Sequence, residues 1–390
     1  MTPIALQAKA GLLNSPSITS PELQAWQTPK VATVAPSADR HSIHSYFNAC
    51  PESPDGRHVL YFSSRAPTGE QGDICVVERA TGKEHILVIG VSAEDAHRVA
   101  CQQWSANGRT VAYHDFRDGR WQVAAVDLES GAQRLLAKDR QIGFGSPAAD
   151  WVPIYGSHWK QGKHRDLEWV HVQTGEIQTA LTIGQVLEKY GDSVQHLIGD
   201  GPSSIFFPVV SPDGSKVYFK VAQGRGLDDF RATNASKREG KFVYDLEQHK
   251  FVGLYGQWGH PSWSPDSKGI FEKGNFLLNL ATGKTQNFAI GAPTNHPTMS
   301  PSDPIFVTDA DISKRKGGKP GEWGIIIGSL DYDEFATIHR FEHVDGAHSW
   351  RKPHPHPAFS ADGRRIYFNS STGAWTRLMV LHFPMPPGVH

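Results

Sequence analysis

The stretch SPDGRHVLYF at residues 53–62 decides the fold, because six variants of it follow along the chain. Close copies begin at four later serines: Ser105 (SANGRTVAYH), Ser211 (SPDGSKVYFK), Ser264 (SPDSKGIFEK) and Ser360 (SADGRRIYFN). Two degenerate copies begin at Ser146 (SPAADWVPIY) and Ser300 (SPSDPIFVTD). The starts lie 36 to 65 residues apart, so the chain is built from seven similar units.

Each copy pairs a tight turn with a strand. Pro, Asp and Gly favour the turn, and the alternating β-branched and aromatic residues that follow favour a half-buried strand. A second strand comes after a short polar turn, as in GDICVVERATGKE at residues 72–84. Three or four strands in each unit cannot bury both faces of their sheet alone, and radial repetition solves that problem. The sequence therefore predicts an all-β, seven-bladed β-propeller with four-stranded antiparallel blades.

The predicted domain organisation is simple. Residues 1–25 are expected to form a loose N-terminal arm, and residues 26–390 a single propeller domain. The last copy leaves room for only two more strands, so the closing blade should borrow one from residues 31–35. GQVLEKYGDS, from Gly184, is the one convincing short helix.

Composition excludes several classes of function. The 390 residues carry 39 Lys+Arg against 40 Asp+Glu, a net charge of -1, which argues against a nucleic-acid partner. Three cysteines without a CxxC pair favour reduced thiols and a cytoplasmic location. No apolar run is long enough for a membrane span, so no membrane partner is expected.

Histidines recur at one position of the repeat. Four residues before the serine of the fifth, sixth and seventh copies stand His260, His296 and His356, each followed by Pro. Equivalent positions on successive blades should lie at one height and close together, and His354 shares the strand face of His356. The first four copies carry other residues at this position: Ala49, Cys101, Ile142 and Phe207. Converging imidazoles predict a site for a divalent transition metal.

Several of these segments resemble oligogalacturonate lyases. The closing segment WRKPHPHPAFSADGRRIYFNSSTGAWTRLMVLHFP, from Trp350, is similar to the last blade of that family. GHPSWSPD from Gly259, NHPTMSPS from Asn295 and RHSIHSYFNACPESPDG from Arg40 match in the same order. Similarity in length and blade order covers nearly the whole chain, whereas motif identity covers only these patches.

The resemblance implies a carbon-oxygen lyase of pectin degradation that cleaves a uronate oligosaccharide by β-elimination with a manganese-type ion. His296, His354 and His356 are then metal ligands, and His260 is the Brønsted base. The family carries a Gln ligand three residues before its HPHP, where this chain has Arg351, with His348 nearby. The fourth ligand is therefore open, and zinc or another divalent ion stays an alternative to manganese.

The chemistry suits these residue types. The C5 proton of a uronate lies next to a carboxylate, and a divalent ion on that carboxylate stabilises the enolate-like transition state. A neighbouring cation keeps an imidazole neutral, which leaves it free to accept the proton. Loss of the substituent on C4 then gives a 4,5-unsaturated product.

Cationic and aromatic residues should line the rest of the cleft. Arg238 is assigned with His260 to catalysis, where it would meet a substrate carboxylate. A second set is assigned to substrate binding: Arg231, Arg351, Lys352, Trp258 and His44. A solvated loop around Arg231 and Arg238, and a core position for Trp258, are the plain structural alternatives.

Two other functions fit the same pattern. One is a lyase for another uronate glycan, of the ulvan type, which uses a His/Tyr pair. The other is a non-catalytic propeller of the TolB type that binds a protein or peptide, since one propeller fold hosts many functions. The GxSxG motif of serine hydrolases is absent from the sequence.

Overall fold

The computed structural model describes residues 11–227, 229–232, 234–256 and 258–383. Within these ranges the chain forms seven four-stranded antiparallel sheets, each beginning near one of the seven repeats. The predicted fold class is confirmed: the protein is a seven-bladed β-propeller. We number the blades in the order of the repeats.

The chain divides into two compact units. The first unit comprises residues 1–86, 95–99 and 259–390, and the second comprises residues 87–94 and 100–258. Whether residues 26–390 behave as one domain stays a prediction.

The first unit holds the fifth, sixth and seventh blades and most of the first. The first blade consists of β2 (His41–Ile43), β3 (His58–Ser64), β4 (Gln71–Glu78) and β5 (Glu84–Ser92), the last of which continues into the second unit. The fifth consists of β18 (Ser262–Trp263), β19 (Gly269–Glu272), β20 (Phe276–Asn279) and β21 (Thr285–Asn287). The sixth consists of β22 (Thr298–Met299), β23 (Ile305–Asp311), β24 (Glu322–Ser329) and β25 (Phe335–Glu342).

The seventh blade is completed by the N-terminal segment. It contains β26 (Ala358–Phe359), β27 (Arg365–Ser370) and β28 (Arg377–His382), and its fourth strand is β1 (Lys30–Thr33). Ala32 pairs with Val380 in that antiparallel register. The borrowed strand predicted near residues 31–35 is present.

The second unit holds the second, third and fourth blades. The second consists of β6 (Gln103–Ser105), β7 (Thr110–Arg117), β8 (Arg120–Asp127) and β9 (Gln133–Lys138). The third consists of β10 (Gln141–Ile142), β11 (Trp151–Tyr155), β12 (Leu167–His171) and β13 (Ile177–Leu181). The fourth consists of β14 (Ser203–Val210), β15 (Lys216–Gly224), β16 (Ser236–Asp245) and β17 (Lys250–Leu254).

Hydrogen bonds explain why the repeated sequence forms a turn. In the first blade the Ser53 hydroxyl donates to Asp55 at 2.6 Å and accepts the backbone N–H of His58 at 3.0 Å. Gly56 takes a positive φ of 72°, which glycine adopts without steric cost. The same Ser-to-Asp bond recurs in three other copies: Ser211–Asp213, Ser264–Asp266 and Ser360–Asp362.

Two α-helices occur in the described ranges. Helix α1 (Pro21–Ala25) begins after Ser20, whose hydroxyl accepts the backbone N–H of Leu23. Helix α2 (Ile183–Ile198) begins with a capping box formed by Thr182 and Gln185. Neither is both long and apolar enough to cross a bilayer.

Part of the segment predicted to be a loose arm, residues 1–25, is anchored, and its residues 1–10 lie outside the described residues. Thr19 and Ser20 donate backbone N–H bonds to the Glu334 carboxylate at 2.9 and 3.0 Å. Leu23 and Trp26 are fully buried in an apolar cluster with residues of the sixth and seventh blades. Leu23 and Trp26 thereby become part of the first unit's core.

Candidate metal centre and active site

Four histidines of the first unit meet at one point. Their candidate ligand nitrogens all lie within 4.8 Å of one another: His97, His296, His354 and His356. His354 is half-buried, and the other three are buried. The rings of His296 and His356 are 4.5 Å apart between centroids, as are those of His97 and His356.

The repeat places three of the predicted histidines. His260, His296 and His356 each stand two residues before the first strand of their blade, which is β18, β22 or β26. Strand β22 contacts both β18 and β26, so equivalent positions become neighbours. His356 takes a φ of 48°, a left-handed conformation shared by Cys101 (47°) and Phe207 (56°) at the same repeat position, so it belongs to the repeat.

A buried carboxylate orients the cluster. The Nδ1–H of His296 donates to Asp309, with 2.9 Å to either oxygen. Asp309 also accepts the backbone N–H groups of His296 at 2.9 Å and His356 at 3.1 Å. Burial alone would raise the pKa of Asp309, but the His296 ring and these hydrogen bonds outweigh it and lower the pKa below its usual value. An ionised Asp309 fixes the His296 tautomer and leaves its Nε2 facing the cluster.

His97 is the histidine that sequence reasoning missed. It lies on a loop at residues 95–99, four residues before Cys101, the residue at the repeat position of the second blade. Its Nδ1 donates to the Lys352 carbonyl at 3.1 Å. No Pro follows it and no other blade carries a matching residue, so the repeat offered no signal.

The donor set fits a divalent transition metal. Among the described residues, Nε2 of His296, Nδ1 of His354 and both ring nitrogens of His356 are buried without a hydrogen-bond partner. Burying such polar atoms unpaired is costly, and a bound ion would satisfy them. Neutral imidazole is the commonest protein ligand for such ions.

His260 lies beside the cluster without being part of it. Its ring centroid is 4.3 Å from that of His296, and its Nδ1–H donates to the Asn295 carbonyl at 2.8 Å. Burial, together with the neighbouring His296 ring, lowers the pKa of His260 to about 3. A neutral His260 with Nδ1 protonated presents an Nε2 lone pair, which is what a general base requires.

Two aromatic residues cover the cluster. The Tyr46 ring is 4.7 Å from His356, and the Phe47 ring is 5.1 Å from His296. Both side chains are buried. They belong to the segment from Arg40 that resembles the lyase family, although sequence reasoning gave neither residue a role.

The predicted binding residues of the first unit have different surroundings. Arg351 is partly exposed and pairs with the buried Asp95 at 3.3 Å. Lys352 is exposed, and its carbonyl accepts the bond from His97. His44 is buried, with its backbone N–H donated to Asn369, and burial lowers its pKa to about 3. Its role in substrate binding stays a prediction.

Three predicted residues belong to the second unit. Trp258 packs against Phe207 and Tyr218, and the Lys220 ammonium lies 4.3 Å from its ring centroid. The Arg238 guanidinium lies 5.4 Å from the Phe206 ring, and that of Arg231 lies 4.7 Å from the Phe230 ring. Each cation therefore rests on an aromatic face, and the roles of all three predicted residues stay predictions.

The fold and the four-histidine cluster together define the class of protein: a seven-bladed β-propeller with a candidate metal centre. Two solved structures of oligogalacturonate lyases are similar to this chain. An oligogalacturonate lyase in complex with manganese is 14% identical over 91% of this chain and 93% of that chain, with a TM-score of 0.63. An oligogalacturonate lyase from Vibrio parahaemolyticus is 13% identical over 92% of this chain and 97% of that chain, also at 0.63.

The likeness is one of fold. The hydrazine synthase of Kuenenia stuttgartiensis is also similar, at 13% identity over 90% of this chain and 99% of that chain, with a TM-score of 0.50. No family model and no curated protein matches the sequence. The predicted resemblance to oligogalacturonate lyases is thus confirmed at the level of the fold.

Proposed function

We propose that this protein is a metal-dependent lyase that cleaves uronate oligosaccharides, of the oligogalacturonate kind, by β-elimination. The observation that carries the proposal is the position of His260, whose ring lies 4.3 Å from that of His296 at the edge of the four-histidine cluster. A neutral base beside a candidate cation site is the arrangement that proton abstraction next to a carboxylate requires.

The chain's own residues account for the proton transfer. Asn295 holds the His260 ring through Nδ1, so Nε2 accepts the C5 proton of the uronate. The electron pair left on C5 forms the C4–C5 double bond as the C4–O bond breaks, and the leaving oxygen takes a proton. A divalent ion held by the imidazoles would withdraw charge from the uronate carboxylate and so stabilise the enolate-like transition state. Arg351 remains the candidate of the first unit for binding a substrate carboxylate, and the role of Arg238 stays a prediction.

Manganese is the ion that the resemblance implies, and it is the ion named for one of the similar structures. The proposed setting is the cytoplasm, where the protein would act on short oligomers during pectin degradation. The three free cysteines are consistent with a reducing compartment.

The test follows the 4,5-unsaturated product by its ultraviolet absorbance. Purified protein is incubated with digalacturonate, trigalacturonate and ulvan oligomers, before and after treatment with EDTA, and with manganese or zinc added back. We expect a rise on a galacturonate that EDTA abolishes and metal restores. His260→Ala should lower the rate by about 10²- to 10⁴-fold, the usual contribution of a general base.

His85→Ala is the matched control, since His85 is an exposed histidine on β5. It should keep the wild-type rate. A metal-independent rise, or full activity in His260→Ala, would contradict the proposal.

One observation favours a second candidate, the ulvan-type lyase that uses a His/Tyr pair. Tyr46 lies against His356 and 6.4 Å from His296 between ring centroids. A Tyr hydroxyl at such a position can donate the proton that the leaving oxygen takes. Elimination on ulvan oligomers, lost in Tyr46→Phe, would select this branch. Absence of both metal binding and elimination would instead favour the TolB-type binding propeller.

A further inference from the structure

We infer that His97 supplies the fourth imidazole of the metal site, and that the site therefore takes a nitrogen-preferring divalent ion of the zinc class rather than manganese. This inference deepens the metal-binding part of the proposed function, and it does not require that the protein eliminate uronates.

The four donors are already close to a coordination sphere. Zinc–imidazole bonds measure about 2.0–2.1 Å, so any two donors of a tetrahedral zinc ion lie roughly 3.3 Å apart. The ligand nitrogens here lie within 4.8 Å of one another. Side-chain movements on the order of 1 Å would bring the four nitrogens to these separations.

A hydrogen bond gives His97 the tautomer that metal binding requires. Its Nδ1–H donates to the Lys352 carbonyl at 3.1 Å, so the lone pair is on Nε2. His296 is prepared in the same way by Asp309. Metal-binding histidines commonly donate their second ring nitrogen to a carbonyl or carboxylate, which fixes the tautomer and the direction of the ring.

The loop that carries His97 is held against the segment that carries His354 and His356. Asp95 is buried and accepts the backbone N–H groups of His97 at 3.0 Å and Arg98 at 2.9 Å. Its second oxygen lies 3.3 Å from Nη1 of Arg351. Arg351, a cation without a free electron pair, cannot bind a metal, but it positions the loop that can.

Carboxylate donors are missing from the group, within the part of the chain that the structure describes. Among the described residues, the four members of the cluster are all histidines. Asp309 is the carboxylate in contact with them, and both of its oxygens are occupied by the His296 ring and by backbone N–H groups. Imidazole suits zinc, nickel and copper, whereas manganese prefers carboxylate, carbonyl and water.

Competition between two metals tests the inference on the full chain. Protein stripped with EDTA is dialysed against equal concentrations of Zn²⁺ and Mn²⁺, and the bound metals are counted by mass spectrometry. Zinc precedes manganese at most sites, so the informative quantity is how the zinc-to-manganese ratio changes on mutation. His97→Gln keeps a side chain of similar reach but offers an amide oxygen, and we expect the ratio to fall by at least about tenfold. His85→Gln, the exposed control, should keep the wild-type ratio.

An unchanged ratio in His97→Gln would overturn the inference. Circular dichroism shows whether that variant folds, and X-ray absorption at the zinc edge of the wild-type protein gives a measurement that needs no variant. Four imidazoles around zinc are expected, and three or fewer would overturn the inference. Neither measurement uses a uronate, so a failed elimination assay leaves both results intact.

Discussion

At the scale of single residues, Asp309 connects the two segments that carry His296 and His356. It is fully buried, and three hydrogen bonds from these segments compensate for the cost of burying its charge. The carboxylate therefore fixes both the position of the backbone that carries His296 and His356 and the tautomer of the His296 ring.

We predict that Asp309→Asn weakens metal binding by about 10- to 100-fold, the usual effect of losing such a partner. The amide cannot accept all of these bonds, so the His296 ring loses its fixed tautomer. Competition with a chromophoric chelator measures the affinity. Asp331→Asn, on an exposed turn, serves as the control. Equal affinities in the two variants would show that Asp309 has no part in orienting the site.

The repeat predicted part of this site and could not predict the rest. His260, His296 and His356 are related by the repeat, and His354 follows from the alternation of the strand. Asp309 and His97 come close to these histidines only through folding. Asp309 lies 13 residues from His296 in the sequence, and His97 contacts Lys352, which is 255 residues away. The strand IFVTDAD carries two charged residues, Asp309 and the exposed Asp311, so the sequence did not single out Asp309.

At the scale of elements, the seven copies of the repeat, five close and two degenerate, predicted the seven blades. Helix α2 runs on to Ile198, beyond the ten residues predicted from Gly184, in spite of non-helical dihedral angles at Tyr190. Val194 and Ile198 pack into the same apolar cluster as Val186, and this tertiary contact sustains the helix past Gly191.

The N-terminal segment gives an element-scale prediction. Trp26 is fully buried, with its ring 5.2 Å from Phe383 and 6.4 Å from Phe359. Trp26→Ala should lower the free energy of unfolding by about 3–5 kcal/mol, because the seventh blade loses this contact and a cavity remains. Thermal unfolding measures the loss. Tyr332→Ala removes a side chain that is 45% exposed and should cost about 0.5 kcal/mol or less. Equal losses would contradict the anchoring of this segment.

At the scale of the whole molecule, buried histidines couple stability to pH. Burial lowers the pKa of His41 from 6.5 to about 4, and Nδ1 of His41 accepts the backbone N–H of Thr376 at 2.9 Å. In the unfolded chain His41 becomes protonated as the pH falls below its ordinary pKa of 6.5. In the folded chain it stays neutral until the pH approaches 4. The stability contributed by neutral His41 is therefore complete above pH 6.5 and is lost as the pH falls toward 4.

We predict that the metal-free protein loses about 1.4 kcal/mol per pH unit for each such histidine below its ordinary pKa. Thermal unfolding in EDTA, from about pH 7 to about pH 5, measures the slope. In His41→Asn the amide oxygen can accept the same hydrogen bond without titrating. The loss of unfolding free energy per pH unit should therefore be smaller by the contribution of one histidine. A slope identical to that of the wild type would show that His41 does not bind its proton differently in the two states.

Fold alone does not determine the reaction, since similar propellers include a hydrazine synthase as well as oligogalacturonate lyases. The composition and repeats of the sequence were sufficient for the architecture. The proposed reaction depends on how the imidazoles of the four-histidine cluster are oriented. Elimination is proposed from the position of His260 beside them.

The most direct test of that assignment is the structure of the product. Digalacturonate is incubated with the metal-loaded protein, and the products are identified by NMR and mass spectrometry. Elimination predicts a 4,5-unsaturated uronate and a combined product mass equal to that of the substrate. Two saturated products whose combined mass exceeds that of the substrate by one water would show hydrolysis and contradict the central claim.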